Sequence, residues 1–373
     1  MYKNLTLSMG TTFKNIGKTA ASLSLLIFLF SFINIESTQA QDKHFTQFYA
    51  APLTLNPALT GSMPGRYRVS GIYRDQWRGV LDNPYVTFGA AIDVNFDIEF
   101  DSRYKDQVAV GLLFTNDKVP EVDFSTNQIG LSAAFHKGLD YDKKQFLSLG
   151  IQGILAQRNV NYENLSFDDQ FNDLDAFDLG TAENLPENNF SYGDFAVGLN
   201  YLYALKTGLV LNVGVGMHHV FSPELSFYEA GADGDSDLFE SNPLYSKYSA
   251  QLSLQFPISK GIFLMPRVLY AKQGPHTEIN AGTNVRVRIN DFNNNAIHIG
   301  CWVRPVTNND DGTTSLDAIV GLVGLELGSV SFGLSYDANL NSLSNYQQGQ
   351  GAIEFSLTYI GSFDNEDILC PKF

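Results

Sequence analysis

The chain has 373 residues, with 24 Lys and Arg against 40 Asp and Glu and a net charge of −16. That balance excludes a DNA- or RNA-coating protein, which needs a basic surface. Two cysteines exclude a disulfide-dense scaffold and a Cys-rich zinc or iron–sulfur site, and 44% hydrophobic residues exclude a disordered chain. A secreted soluble β protein and an outer-membrane β-barrel remain.

Residues 1–20 carry Lys3, Lys14 and Lys18 and no acid, and an apolar run from Ala21 to Ile33 leads to Thr38-Gln39-Ala40. This describes a secretory signal peptide over residues 1–40, cut near Ala40–Gln41. The apolar run falls short of the roughly 20 residues that cross a bilayer as a helix. No cysteine borders the cut, which argues against a lipoprotein.

Residues 41–65 form an N-terminal segment in which Pro52 and Pro57 forbid a long helix and Asn56-Pro57 favours a turn. Phe48, Tyr49, Leu53, Leu55 and Leu59 are too apolar for water, so the segment is expected to pack at the periplasmic mouth of a barrel or partly inside it.

From residue 66 to 361 the pattern has period two. Val108, Val110 and Leu112 alternate with Ala109, Gly111 and Leu113; Val285, Val287 and Ile289 alternate with Asn284, Arg286, Arg288 and Asn290. A strand between lipid and a polar lumen needs one oily and one polar face. Strands are predicted near 66–80, 85–99, 105–116, 126–138, 144–158, 190–204, 207–221, 244–258, 261–272, 277–290, 295–306, 316–326, 329–340 and 350–361. Fourteen long strands, an even number, fit a transmembrane antiparallel outer-membrane barrel. The connections alternate: those near 159–189 and 222–243 are long, while those near 205–206, 259–260 and 327–328 are tight. Long loops outside and short turns inside would place both termini in the periplasm. Tyr201, Tyr203, Tyr245, Tyr248 and Tyr270 sit near strand ends, where an aromatic belt would lie. In the first strand Arg74 and Gln76 share one face and Tyr73, Asp75 and Trp77 the other, so Asp75 needs a partner near the rim or a local bulge.

Glu163 to Glu187 carries eight acids and no basic residue, a solvated surface first of all. Asp233, Asp235, Asp237 and Glu240 resemble the start of a calcium loop without its central Gly or twelfth-position Glu. His218 and His219 would point to opposite faces of a strand; His44, His136, His276 and His298 read as ordinary strand or loop residues. No zincin, hydrolase-elbow or phosphate-loop motif is present, so the expectation is no enzyme, no metal and no cofactor. A disulfide between Cys301 and Cys370 has no support in the pattern.

Gln47-Phe48-Tyr49, then Leu55-Asn56-Pro57-Ala58 and Gly61, followed by Tyr73-Arg74-Asp75-Gln76-Trp77, resemble the PorP/SprF family of the Bacteroidetes type IX secretion system. The tail 362–373 ends Cys370-Pro371-Lys372-Phe373, similar to the family terminus with lysine where arginine is common. The resemblance implies a non-catalytic outer-membrane barrel of the secretion and gliding system. Its implied partners are a large secreted adhesin, which it helps export or anchor and which suits a type B C-terminal signal domain, or periplasmic ring and peptidoglycan-binding components. A passive channel or lipid-substrate transporter is the alternative. The residues expected to carry partner binding or structure are Gln47, Phe48, Tyr49, Asn56 and Pro57, with Arg74, Gln76 and Trp77 packed on them, and Pro371 and Phe373 in the tail. Outer-membrane lipids are the remaining partner and nucleic acid is none.

Overall fold

A computed structural model describes residues 42–363 except 79–82, 99–105, 120–122, 142–143, 173, 184, 206, 228–242, 291–294, 309–312 and 341–350. The expected signal peptide over 1–40, the Asp233–Glu240 acids, and Cys370, Pro371 and Phe373 lie outside the described residues.

Fourteen strands close into one antiparallel barrel: β1 Tyr67–Gln76, β2 Tyr85–Ile98, β3 Asp106–Val119, β4 Phe124–Gly138, β5 Gln145–Asn159, β6 Asn189–Ala204, β7 Val210–His218, β8 Lys247–Ser259, β9 Ile262–Gln273, β10 His276–Asn290, β11 Asn295–Asn308, β12 Thr313–Leu327, β13 Val330–Asn339 and β14 Ala352–Gly361. Each strand pairs with its sequence neighbours, and the seam closes from Tyr67↔Gly361 to Gln76↔Ala352. Closure satisfies the backbone groups of the first and last strands, as lipid requires.

The period-two reading holds in detail. On β3 Val110, Leu112 and Phe114 face outward while Ala109, Leu113 and Thr115 are buried in the lumen. On β5 Leu147, Leu149, Ile151 and Leu155 make the same outer band. Exposed Tyr245, Tyr248 and Tyr270 lie near one rim, while Tyr67 packs on Tyr359 and Phe363 at the other.

At one end the connections are short, including Lys260–Gly261 and Gly328–Ser329, where glycine takes φ of 78° and 60°. Only glycine enters that left-handed region at little cost. The other end carries the connections 77–84, 160–188, 219–246 and 340–351. Two connections expected there are shorter than the sequence suggests, 120–123 and 309–312. The ladder runs on past the apolar band, through pairs such as Asn116↔Asn127 and Lys118↔Ser125. Polar residues ended the predicted strands, whereas backbone pairing continues into water.

Candidate functional site: the lumenal segment

Residues 43–65 do not cap one mouth. They run through the lumen from the end with the long connections to the end with the short turns, then turn back into β1. Three short helical turns build the path: Phe48–Ala50, Pro52–Leu55 and Pro57–Leu59. The prolines open the second and third turns, where the absent N–H has no partner to lose. Of the two expected placements, at the periplasmic mouth or partly inside the barrel, residues 43–56 take the second. Their apolar side chains find a lined interior along the whole barrel rather than a shelf at its base.

At the long-connection end the segment is clasped by charge. The backbone N–H groups of Thr46 and Gln47 donate to the two carboxylate oxygens of Glu354, at 2.7 and 2.9 Å. Arg74 pairs with that same Glu354 and with Asp337 at 3.0 Å. Arg304 reaches Asp337 at 2.9 Å and Asp317 at 3.0 Å, and Thr46 Oγ1 donates to Asp337 at 2.7 Å. Gln47 is fully buried; its amide donates to Ser335 and accepts from Ser356. Lys43 donates to Thr115 on β3 and Gln128 on β4. The buried carboxylates of Glu354 and Asp337 are tolerable because each faces an arginine and further donors.

Below the clasp Phe48 meets Trp302 edge-on at 5.7 Å, and Tyr49 stacks on it at 5.9 Å. The Arg267 guanidinium lies 4.0 Å from the Tyr49 ring centre, and the Trp302 indole N–H donates to Asn284. Asn56 then crosses the mid-lumen: its amide N–H groups reach the carbonyls of Leu199 and Val215, and its oxygen accepts from Ala58. Strand glycines make room for it. A Cβ on Gly150 would overlap the Pro57 and Ala58 backbone, and one on Gly198 the Asn56 side chain. Gly in a strand interior marks such close approach.

Toward the short turns Asp93 accepts from Gly61 N–H at 2.6 Å and pairs with Arg68, whose Nη2 donates to the Leu59 carbonyl as well. His136 bonds the Thr60 carbonyl through Nε2 and Ser148 through Nδ1. Asn95 donates to the carbonyls of Gly61 and Gly65. Residues 61–66 frame a cavity of about 350 Å³ with Gln107, His136 and Phe146 at this mouth.

Gln47, Phe48, Tyr49, Asn56 and Pro57 thus all lie in the lumen, with Arg74 beside them and Gln76 accepting from Arg74 at 3.4 Å. Trp77 does not join them: the strand ends before it, its φ is 63°, and its ring packs on Tyr85. Asp75 has the partner it needs, accepting from Arg78 Nε at 2.7 Å at the rim. His218 and His219 do not point to opposite faces. β7 ends at His218, and a φ of 56° at His219 turns both rings into buried positions, on the Leu55 carbonyl and on Asp194. Outside the spanning strands, the Lys118 ammonium and the Asn161 amide hold the Asp123 carboxyl below its usual range. Sequence reading missed Glu354, Asp337, Arg304, Asp93 and Trp302. Each is a polar or bulky residue at a lumen-facing position, and that parity was the available signal.

Fold and site together define a membrane β-barrel filled by its own N-terminal segment. The chain belongs to the PorP/SprF family, described as type IX secretion system membrane proteins, whose model matches residues 37–359. It is accordingly an outer-membrane barrel of that secretion system. Among solved structures it is similar to the Pseudomonas putida toluene transporter TodX, at 12% identity over 87% of this chain and 100% of that one, with a TM-score of 0.48. A CymD monoaromatic hydrocarbon channel matches at 10% identity over 84% and 93%, TM-score 0.45. A Pseudomonas aeruginosa FadL homologue matches at 10% over 82% and 92%, TM-score 0.43. No curated protein sequence matches significantly.

Proposed function

We propose that this barrel is a non-catalytic part of type IX secretion that holds, or helps export, a large secreted adhesin at the cell surface. The supporting observation is the lumenal segment, bonded at both mouths and seated against inward-facing glycines. A lumen filled this way suits a rigid scaffold better than a diffusion pore. A pore would leave its constriction open or close it with an element held by few contacts. With short turns toward the periplasm, as outer-membrane barrels have them, the Thr46–Glu354 clasp faces outward.

The test is deletion of the barrel followed by measurement of cell-attached adhesin, alongside affinity isolation of the tagged barrel from native outer membranes. Loss of the adhesin from cells and its co-isolation in near-stoichiometric amount are expected. Co-isolation of periplasmic ring or peptidoglycan-binding components alone would assign the barrel to the core machinery. A barrel isolated alone, with steady conductance in planar bilayers, would make it a channel.

A further inference from the structure

The barrel wall is uneven at the long-connection end. β6 pairs with β5 from Asn159↔Asn189 to Gln145↔Tyr203, but with β7 only from Val197↔Met217 to Ala204↔Val210. One further bond, from Val220 N–H to the Phe195 carbonyl at 3.1 Å, ends the contact on that side. In an antiparallel strand alternate residues direct N–H and C=O to the same neighbour. Phe195 points toward β7, so Gly193, Ser191 and Asn189 do too, and among the described residues no strand pairs with them. The outward apolar band stops at Phe195, and Asn189, Ser191 and Gly193 are exposed. A Cβ on Gly193 would meet nothing within 4 Å. Among the described residues this is a sheet edge without the lysine or proline that usually blunts one, approached by the connection 219–246 where Phe227 packs on Phe190 at 4.7 Å. Its backing is braced: Asn116 bonds Asn127 at 2.8 Å, Lys118 pairs with Asp123 at 3.1 Å, and Asn161 donates to Asp123 at 3.2 Å.

The adjoining connection 160–188 says what fits there. Asp168, Asp169, Asp175, Asp178, Glu183 and Glu187 are exposed, and the connection has no Lys, Arg or His. Leu174 and Phe177 stand out among them, 84% and 53% exposed. We propose that the edge Asn189–Gly193 takes up an extended segment of the secreted client, with basic and apolar residues alternating, as an added β-strand. This rests on the client-holding function proposed above and locates it. Main-chain bonds to Asn189, Ser191 and Gly193 supply the register, and the acids select a positively charged strand.

The probe is a blocked octapeptide of alternating Lys and Val, with a Glu/Val peptide as control, added to the full-length barrel in lipid nanodiscs. Expected is slower amide exchange at Asn189, Ser191 and Gly193 with the Lys/Val peptide only. Ser191→Pro removes one edge N–H without touching the β5 ladder, and should weaken binding by about tenfold, the worth of one such bond. Heat-modifiable migration on gels confirms that this variant folds. Equal binding to Ser191→Pro, or unchanged exchange at the edge, overturns the proposal. A barrel dimer lost on Ser191→Pro would assign the edge to a second copy and overturn it too. In cells, adhesin lost on barrel deletion but kept with Ser191→Pro would refute the edge while leaving the anchor function standing. Adhesin kept in both would refute the anchor function itself.

Discussion

Replacing Glu354 with Ala isolates the outer clasp. The change removes the acceptor of the Thr46 and Gln47 amides and one of the two carboxylates facing Arg74. Removing one partner of a buried pair costs roughly 3–5 kcal/mol. Arg74 keeps Asp337 at 3.0 Å, which favours the lower end. At about 3 kcal/mol, local opening of the segment should become more frequent by about two orders of magnitude. The strand ladders supply their own bonds, so the barrel should still migrate as a folded species on an unheated gel. Amide exchange of Thr46 and Gln47 in nanodiscs, followed by mass spectrometry, reads the opening directly. Glu326→Ala is the control, because Glu326 binds Arg286 and His298 near the short turns, away from Thr46 and Gln47. An acceleration below about tenfold at Thr46, or one equalled by Glu326→Ala, would show that the clasp does not hold the segment.

Gly150→Ala and Gly198→Ala press on backbone and Asn56 in mid-lumen, and each should destabilise the seated segment by about 1–3 kcal/mol. Faster proteolysis near Asn56, with the strands intact, is the readout; an unchanged rate would mean the cradle is loose. Trp302→Ala empties the site between Phe48 and Tyr49 and should cost about 3–5 kcal/mol in urea unfolding from lipid vesicles. Arg68→Ala leaves Asp93 with the Gly61 amide but without its cation, and should speed exchange at Gly61 while sparing Thr46. Equal effects at both residues would mean that the two mouths open as one unit.

The strand pattern was legible wherever lipid enforced it. At Val285 through Ile289 every second residue must be oily, and the opposite residues, Arg286 and Arg288, can only face the lumen. Strand ends were less legible where polar residues continue in register, as at Asn116 and Lys118. The lumenal path of residues 43–65 was hidden for a different reason. Its prolines and lack of periodicity give no direction, and its partners Asp337 and Glu354 come about 300 residues later in the chain. Glycines such as Gly150 looked like ordinary strand residues until the Pro57 backbone stood opposite them. Trp77 misled because it reads with Arg74 and Gln76 as one motif, although alternation puts it on the other face and the strand ends before it.

The clasp also bears on how the barrel is made. Arg74 belongs to β1 and Glu354 to β14, the two strands of the closing seam, and Thr46 and Gln47 bridge them from inside. A ring closure between strands so far apart in sequence is slow, since the entropy of a long loop must be spent before any bond forms. The Glu354 carboxylate of the last strand meets, at one place, two N–H groups of the segment and the Arg74 guanidinium of the first strand. The lumenal residues therefore act as a staple across the closing seam: loss of the bonds to Glu354 would leave the join between first and last strand to the ladder alone.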